Sequence, residues 1–144
     1  MIYLLRHGDA VPRDGSDDAA RVLTEKGERQ SVAAGRALAA LGAEIETCLT
    51  SPKVRAAETA RLACEQLGIE PEIELELENG SFGPLALAAG RGETMLVGHE
   101  PAFSTEIAGL TGGRVKLRKG GLAIVDGSTL VALLRPKDLA AIAG

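Results

Sequence analysis

Short apolar runs that stop at polar clusters, each followed by a stretch of helical period, govern what this chain can fold into. Residues 2–5 form an unbroken apolar run, ended by Arg6-His7-Gly8. Residues 45–50 read as a second strand, ended by Ser51-Pro52, and residues 94–97 as another, ended by Gly98-His99-Glu100. Strands this short that alternate with helical segments predict an α/β sandwich around a largely parallel sheet. In such sheets ligands sit beyond the carboxyl ends of the strands. All three polar clusters fall there.

The remaining elements follow from local chemistry. Residues 7–23 are polar and rich in Asp, Arg and Gly, and read as a long loop. Thr24 is an N-cap for a helix to about Leu41, with Gly42 behind it; Gly27 and Gly35 weaken it locally. Ser51-Pro52 opens the next helix, with Ser at the N-cap and Pro at the first helical position. That helix carries Ala57, Ala60, Cys64 and Leu67 on one stripe and ends at Gly68. Ile73, Leu75 and Leu77 alternate with glutamates, the pattern of a half-exposed strand with an acidic outer face. Residues 84–89 predict a short helix, and a further helix follows His99 to about Leu110. Residues 115–119, 122–126 and 129–135 predict strands, and residues 137–143 a terminal helix.

At 144 residues the chain fits a single domain over 1–144, large enough to bury its own core without metal or disulfide staples. Sixteen Lys and Arg against 20 Asp and Glu leave a net charge of -4, which argues against a dedicated nucleic-acid binder. Cys48 and Cys64 lie in apolar surroundings and read as buried hydrophobes. The N-terminal apolar run is too short for a signal peptide, and no run is long enough to span a membrane, so the expectation is a cytoplasmic protein with no membrane partner.

The chain holds two histidines, His7 and His99, each directly after a strand and beside a glycine. A lone histidine is most often structural, but two in matching positions point to a site. Arg6 ends the first strand and Arg55 lies one turn into the Ser51-Pro52 helix. Arginine offers a planar fork of donors suited to paired phosphate oxygens, and a helix N-terminus favours an anion. Two imidazoles, two permanent cations and a helix N-terminus suit a tetrahedral anion.

These residues resemble the histidine phosphatase superfamily, which includes phosphoglycerate mutases and acid phosphatases. Arg6-His7-Gly8 with Asp9 resembles its R-H-G-[DE], and Leu23-Thr24 with Gly27 its L-T-x-x-G. The stretch from Thr50-Ser51-Pro52 through Arg55-Ala56 to Glu58-Thr59-Ala60 resembles its S-S-P-x-x-R-A-x-[QE]-T-A, and Val97-Gly98-His99-Glu100-Pro101 its [VS]-[GS]-H-x-P. R-H-G alone is a weak signal; four motifs in order are specific. The short length and Arg21-Val22-Leu23-Thr24 are most similar to the small SixA-type phosphohistidine phosphatases. The resemblance implies a three-layer, phosphoglycerate mutase-like sandwich.

It also implies two chemical steps. His7 attacks phosphorus in line and becomes phosphorylated, and water then hydrolyses the intermediate. Attack needs a neutral ring, and Arg6 and Arg55 would disfavour a proton on it. A backbone carbonyl accepting from the other ring nitrogen would fix the tautomer. Arg6, Arg55 and His99, with the Gly8 backbone close by, would hold the phosphoryl oxygens. Arg21 would add a phosphate contact, or else serve as a loop arginine paired with Asp17 or Asp18. For a general acid the candidates are Glu78, which also fits the exposed glutamate row, and Asp9.

The lack of a firm acid favours a phosphoramidate, whose imidazole leaves more readily than an alkoxide. A short chain without a lid suits a protein-borne phosphate. The expected activity is therefore a metal-independent phosphohydrolase that removes phosphate from phosphohistidine on a partner protein, such as a histidine phosphotransfer domain. The alternatives are a phosphomonoesterase of small phosphate esters and a non-catalytic phosphate- or phosphoprotein-binding module. His99-Glu100 lacks the second histidine of a zinc-protease motif, and no Walker A or dinucleotide fingerprint is present. No cofactor and no metal are expected. Arg114, Lys116 and Arg118 form a basic strand face that either docks an acidic partner or is a solvated face paired with the glutamate strand.

Overall fold

In the computed structural model, which describes residues 1–15 and 17–144, the elements run β1 (Ile2–Arg6), α1 (Glu25–Ala40), β2 (Thr47–Thr50), α2 (Val54–Leu67), β3 (Pro71–Ile73), α3 (Pro84–Ala88), β4 (Thr94–Gly98), α4 (Ala102–Thr111), β5 (Leu122–Asp126), β6 (Thr129–Leu134) and α5 (Pro136–Ala143). The sheet order is β3-β2-β4-β1-β5-β6. The first four strands are parallel, and the β5–β6 hairpin adds an antiparallel edge. This is the α/β sandwich with a mostly parallel sheet that the alternating pattern predicts.

Strand alternation splits the core into two layers. Along β1, Tyr3 and Leu5 face one way and join residues of α1, α2 and α5, including Leu38, Ala60 and Leu139. Ile2 and Leu4 face the other way and join Phe103 and Ile107 of α4, with Leu77 and Phe82. Both faces of the central strands are covered, so their near-continuous apolar sequence is what burial demands.

Gly27 and Gly35 are not merely weak helix formers; both are places where backbones meet. A Cβ on Gly35 would lie 2.4 Å from the Ala63 carbonyl oxygen, and α1 and α2 close over alanines. A Cβ on Gly27 would lie 2.0 Å from the Asp9 carbonyl oxygen, so the first turn of α1 presses on the loop that carries His7. The helix cost of glycine, about 1 kcal/mol against alanine, is set against this close packing.

Four local expectations are corrected. The second helix begins at Val54, not at Pro52: Lys53 is extended (ψ 136°) and Ser51 Oγ accepts from the Lys53 N–H at 3.2 Å. Its buried side is Arg55, Ala56, Thr59, Ala60, Ala63 and Cys64, so Ala57 and Leu67 lie at the margin. Residues 72–78 are not one strand. β3 stops where its partner β2 ends, at Ile73 opposite Thr50, and a 3₁₀ turn follows at Leu75–Leu77. Ile73 and Leu75 are 57% and 69% exposed while Leu77 is buried.

Residues 115–119 form no strand either; side chains hold them in place, and the acidic segment instead pairs through Glu72 with Arg91 at 3.7 Å. The 7–23 loop contains a 3₁₀ turn at Asp18–Ala20, capped by Asp17. Cys48 and Cys64 are free, fully enclosed thiols, as their apolar surroundings predict.

Candidate active site

Register brings the two histidines together. β1 and β4 pair in parallel with Arg6 opposite Gly98, and the His7 N–H donates to the Gly98 carbonyl at 3.0 Å. The residues just past the two strand ends are therefore neighbours, and the rings of His7 and His99 lie 5.2 Å apart, tilted by 55°. β2 ends beside them: the Ser51 N–H donates to Val97 at 3.0 Å, and Ser51 Oγ lies 2.7 Å from His99 Nε2. Three strand ends thus build one site.

His7 is 5% exposed. Burial depresses the basicity of its ring first, and Arg55, Arg6 and Lys119 add to that, against the opposing hydrogen bond to Gly8; the pKa falls to about 4. His7 Nδ1 donates to the Gly8 carbonyl at 2.7 Å. A carbonyl only accepts, so in the neutral ring Nδ1 holds the proton and Nε2 holds a free electron pair. His99 is depressed further, to about 3, by burial and then by His7, Arg55 and Lys53. Its Nδ1 is buried with no hydrogen-bond partner among the described residues.

The arginines are held by one edge each. Arg6 Nη1 donates to the Leu117 carbonyl at 2.8 Å. Arg55, 5% exposed, donates through Nη1 to the Asp18 carbonyl at 2.9 Å and through Nη2 to Asp18 Oδ2 at 3.2 Å. The Nε groups of both are buried without a partner among the described residues. Buried donors without a partner are rare in proteins.

Asp18 also binds Arg21 at 3.0 Å and Lys53 at 3.5 Å. Desolvation works against its charge, but the hydrogen bond and charge of Arg55, then those of Arg21, outweigh it and hold the carboxyl down at about 2.

A cleft of about 420 Å³ opens over these groups. Arg6, His7, Arg55 and His99 all line it, and so do Arg21 and Glu78. Arg21 is the loop arginine paired with Asp18, and its Nη1 also donates to the Val11 carbonyl. Gly8 is a packing point: a Cβ there would lie 2.6 Å from the Gly27 carbonyl oxygen, and its N–H donates to Thr59 Oγ1 at 3.0 Å. Asp9 is turned aside. Its Oδ2 accepts from Thr24 at 2.8 Å, its N–H donates to Gln30, and it faces Lys119 at 3.9 Å, outside the cleft lining.

Sequence reasoning missed several contributors. Lys53 and Lys119 line the cleft and raise its positive charge; nothing in their local sequence marks them. Ser51 and Thr59 were visible as motif letters, but their partners, His99 and the Gly8 N–H, emerge only when the strands and α2 are docked. Among the described residues no three His, Cys, Asp or Glu side chains cluster as a metal site.

A buried neutral imidazole with a free ring nitrogen, set among guanidinium and ammonium groups, is an arrangement suited to a tetrahedral oxyanion and to nucleophilic attack by a histidine. The sequence model of the histidine phosphatase superfamily (branch 1) matches residues 2–105, and the chain belongs to that superfamily. Membership supports a phosphatase, a hydrolase of phosphoric groups.

An uncharacterised protein of Picosynechococcus sp. is 37% identical over 134 residues, covering 84% of this chain and 81% of that protein. The mitochondrial serine/threonine-protein phosphatase Pgam5 of Drosophila melanogaster is 37% identical over 71 residues, 49% of this chain but 24% of its own length. The structure of the protein histidine phosphatase SixA complexed with tungstate matches with a TM-score of 0.81 and 25% identity, over 96% of this chain and 98% of that one. A protein of Agrobacterium tumefaciens bearing the SixA name matches with a TM-score of 0.80 and 24% identity, over 94% and 97%. The fold is the three-layer, phosphoglycerate mutase-like sandwich, and the chain is SixA-like in size and topology.

Proposed function

We propose that this protein removes phosphate from phosphohistidine on a partner protein, with His7 as nucleophile. The observation that carries the reading is the His7 ring itself: buried, neutral near pH 7, and held by Gly8 in the tautomer that leaves Nε2 free. Nε2 attacks phosphorus, an N–P bond forms, and the leaving group departs with its electron pair. Water then displaces phosphate from His7. The guanidinium groups of Arg6 and Arg55, which line the cleft, are the donors offered to the phosphoryl oxygens, whose charge they oppose as the transition state forms.

Ser51 completes the assignment. Its oxygen accepts from the Lys53 N–H and lies 2.7 Å from His99 Nε2, which holds the His99 ring in place. His99 lines the cleft beside the two arginines. No metal is required in this scheme.

The protein-borne substrate is supported by the likeness to SixA over nearly the whole of both chains. Cys48 and Cys64 are free thiols buried in one core cluster, which suits a reducing, cytoplasmic setting. One observation favours a second reading, a phosphomonoesterase: Glu78 lines the cleft, where a carboxylic acid could protonate an alkoxide, whereas Asp9 is engaged elsewhere.

A side-by-side assay of a phosphohistidine protein, p-nitrophenyl phosphate and sugar phosphates decides between them, with His7→Ala as control. The phosphohistidine protein is expected to turn over fastest, and rapid quench to recover an acid-labile phosphoryl group on His7. Label on serine or cysteine would overturn the mechanism. Faster turnover of alkyl phosphates, lost in Glu78→Gln, would establish the esterase, and binding without turnover of any substrate would establish a binding module.

A further inference from the structure

Beside the cleft lies a second groove of about 620 Å³, and the two share Arg6 and Lys119 in their linings. Its rim is basic. Lys26, from the first turn of α1, and Lys116 and Arg118, from the 115–119 segment, are all exposed and line it. None of the three has an ion-pair partner among the described residues, whereas Arg135 at the same rim is spent on Asp138 at 2.9 Å. Asp9 is the only carboxylate among the described lining residues, and Lys119 faces it. The floor is apolar, with Leu133 42% exposed beside Leu134 and Pro136.

The rim is built rather than incidental. Leu117 is buried; its N–H donates to Glu100 at 3.2 Å and its carbonyl accepts from Arg6 at 2.8 Å. That pins the segment in register and leaves Lys116 and Arg118 exposed on either side of it. The arginine that holds the segment is also a lining residue of the catalytic cleft. In a chain with a net charge of -4, unpaired cations gathered next to the site are a local field, not an average property.

We propose that this groove docks an acidic, amphipathic face of the phosphorylated partner protein. Carboxylates of the partner meet Lys26, Lys116 and Arg118, its apolar side chains cover Leu133 and Pro136, and its phosphoryl group enters the adjoining cleft. The apolar floor favours a protein face over a nucleic acid, which would present phosphates to the rim and nothing to the leucines. This inference rests on the phosphoprotein reading above.

The test uses binding, so that it stands apart from catalysis. Fluorescence anisotropy measures a labelled, unphosphorylated helical peptide with a glutamate face and a leucine stripe, its glutamine counterpart, and a single-stranded DNA of equal charge. The protein is expected to bind the glutamate peptide about tenfold more tightly than the glutamine peptide at low salt, with the difference shrinking as salt is raised. Lys116→Glu with Arg118→Glu, and separately Lys26→Glu on a different element, are expected to erase the preference.

Equal binding of the two peptides, a preference unchanged in both variants, or tighter binding of the DNA would each overturn the proposal. Phosphoramidate hydrolysis by the same proteins is expected to stay within about twofold of the parent, as for rim charges outside the chemistry. Failure of the parent protein itself to hydrolyse phosphoramidate would count against the proposed function and leave the binding result to judge the groove.

Discussion

At the residue scale, His7 shows how burial and neighbours prepare one nitrogen. Burial is the leading cause of its lowered basicity, with three cations adding to it, and the resulting pKa is about 4. The ring is thus already deprotonated far below neutral pH. After correction for the substrate's own ionisation, the acid limb of kcat/KM is expected to lie near pH 4 rather than near 6.5. A limb at 6.5 would show a ring that is not desolvated.

The same shifts act on stability. His7 and His99 have folded-state pKa values of about 4 and about 3, below the ordinary imidazole value of 6.5. Between those values the unfolded chain takes up protons that the folded chain refuses. Stability is therefore fully present above pH 6.5 and falls as pH drops through that window, by up to about 1.4 kcal/mol per pH unit per ring. Urea midpoints at pH 7 and pH 5 check this: the loss at pH 5 is expected to be smaller in a His7→Asn, His99→Asn double variant.

At the element scale, the site depends on how closely α1, α2 and the loop after β1 can approach. Gly8 and Gly27 touch through their backbones, and Thr59 ties that contact to α2 by accepting from the Gly8 N–H while donating to the Arg55 carbonyl at 2.7 Å. Gly27→Ala would improve helix propensity on paper. Its Cβ would meet the Asp9 carbonyl oxygen at 2.0 Å, so backbone must move. The expected outcome is a net loss of about 1–3 kcal/mol, as for overpacked cores, with a fall in kcat/KM because the moved segment holds His7. Denaturation with parallel kinetics on the variant checks both; a more stable protein of unchanged activity would refute the role given to this contact.

At the scale of the whole molecule, a parallel sheet gathers polar residues at one end, and here cations crowd the histidines while Glu78, Glu100 and Glu106 also line the cleft. Arg6, Arg21, Lys53, Arg55 and Lys119 surround two neutral imidazoles, with Asp18 as the internal counter-ion of three of them. The cations next to the imidazoles attract oxyanions. Activity is accordingly expected to survive EDTA and to be inhibited competitively by inorganic phosphate or tungstate. Loss of activity on chelation, restored by a metal, would contradict the scheme.

Motif order and strand–helix alternation alone determined the class of fold and the parallel core of the sheet, and placed Arg6, His7, Arg55 and His99 at or just past strand ends, because apolar period and strand-end position are local properties of the chain. They could not place what depends on distance between segments. α2 starts later than Ser51-Pro52 suggests because Lys53 is extended, and Ser51, whose oxygen accepts from the Lys53 N–H, also meets His99. Residues 72–78 alternate like a strand but lose their partner when β2 ends. Asp18, Lys53, Thr59 and Lys119 joined the site only through folding, since a side chain's partners across the fold are set by packing and not by its neighbours in sequence.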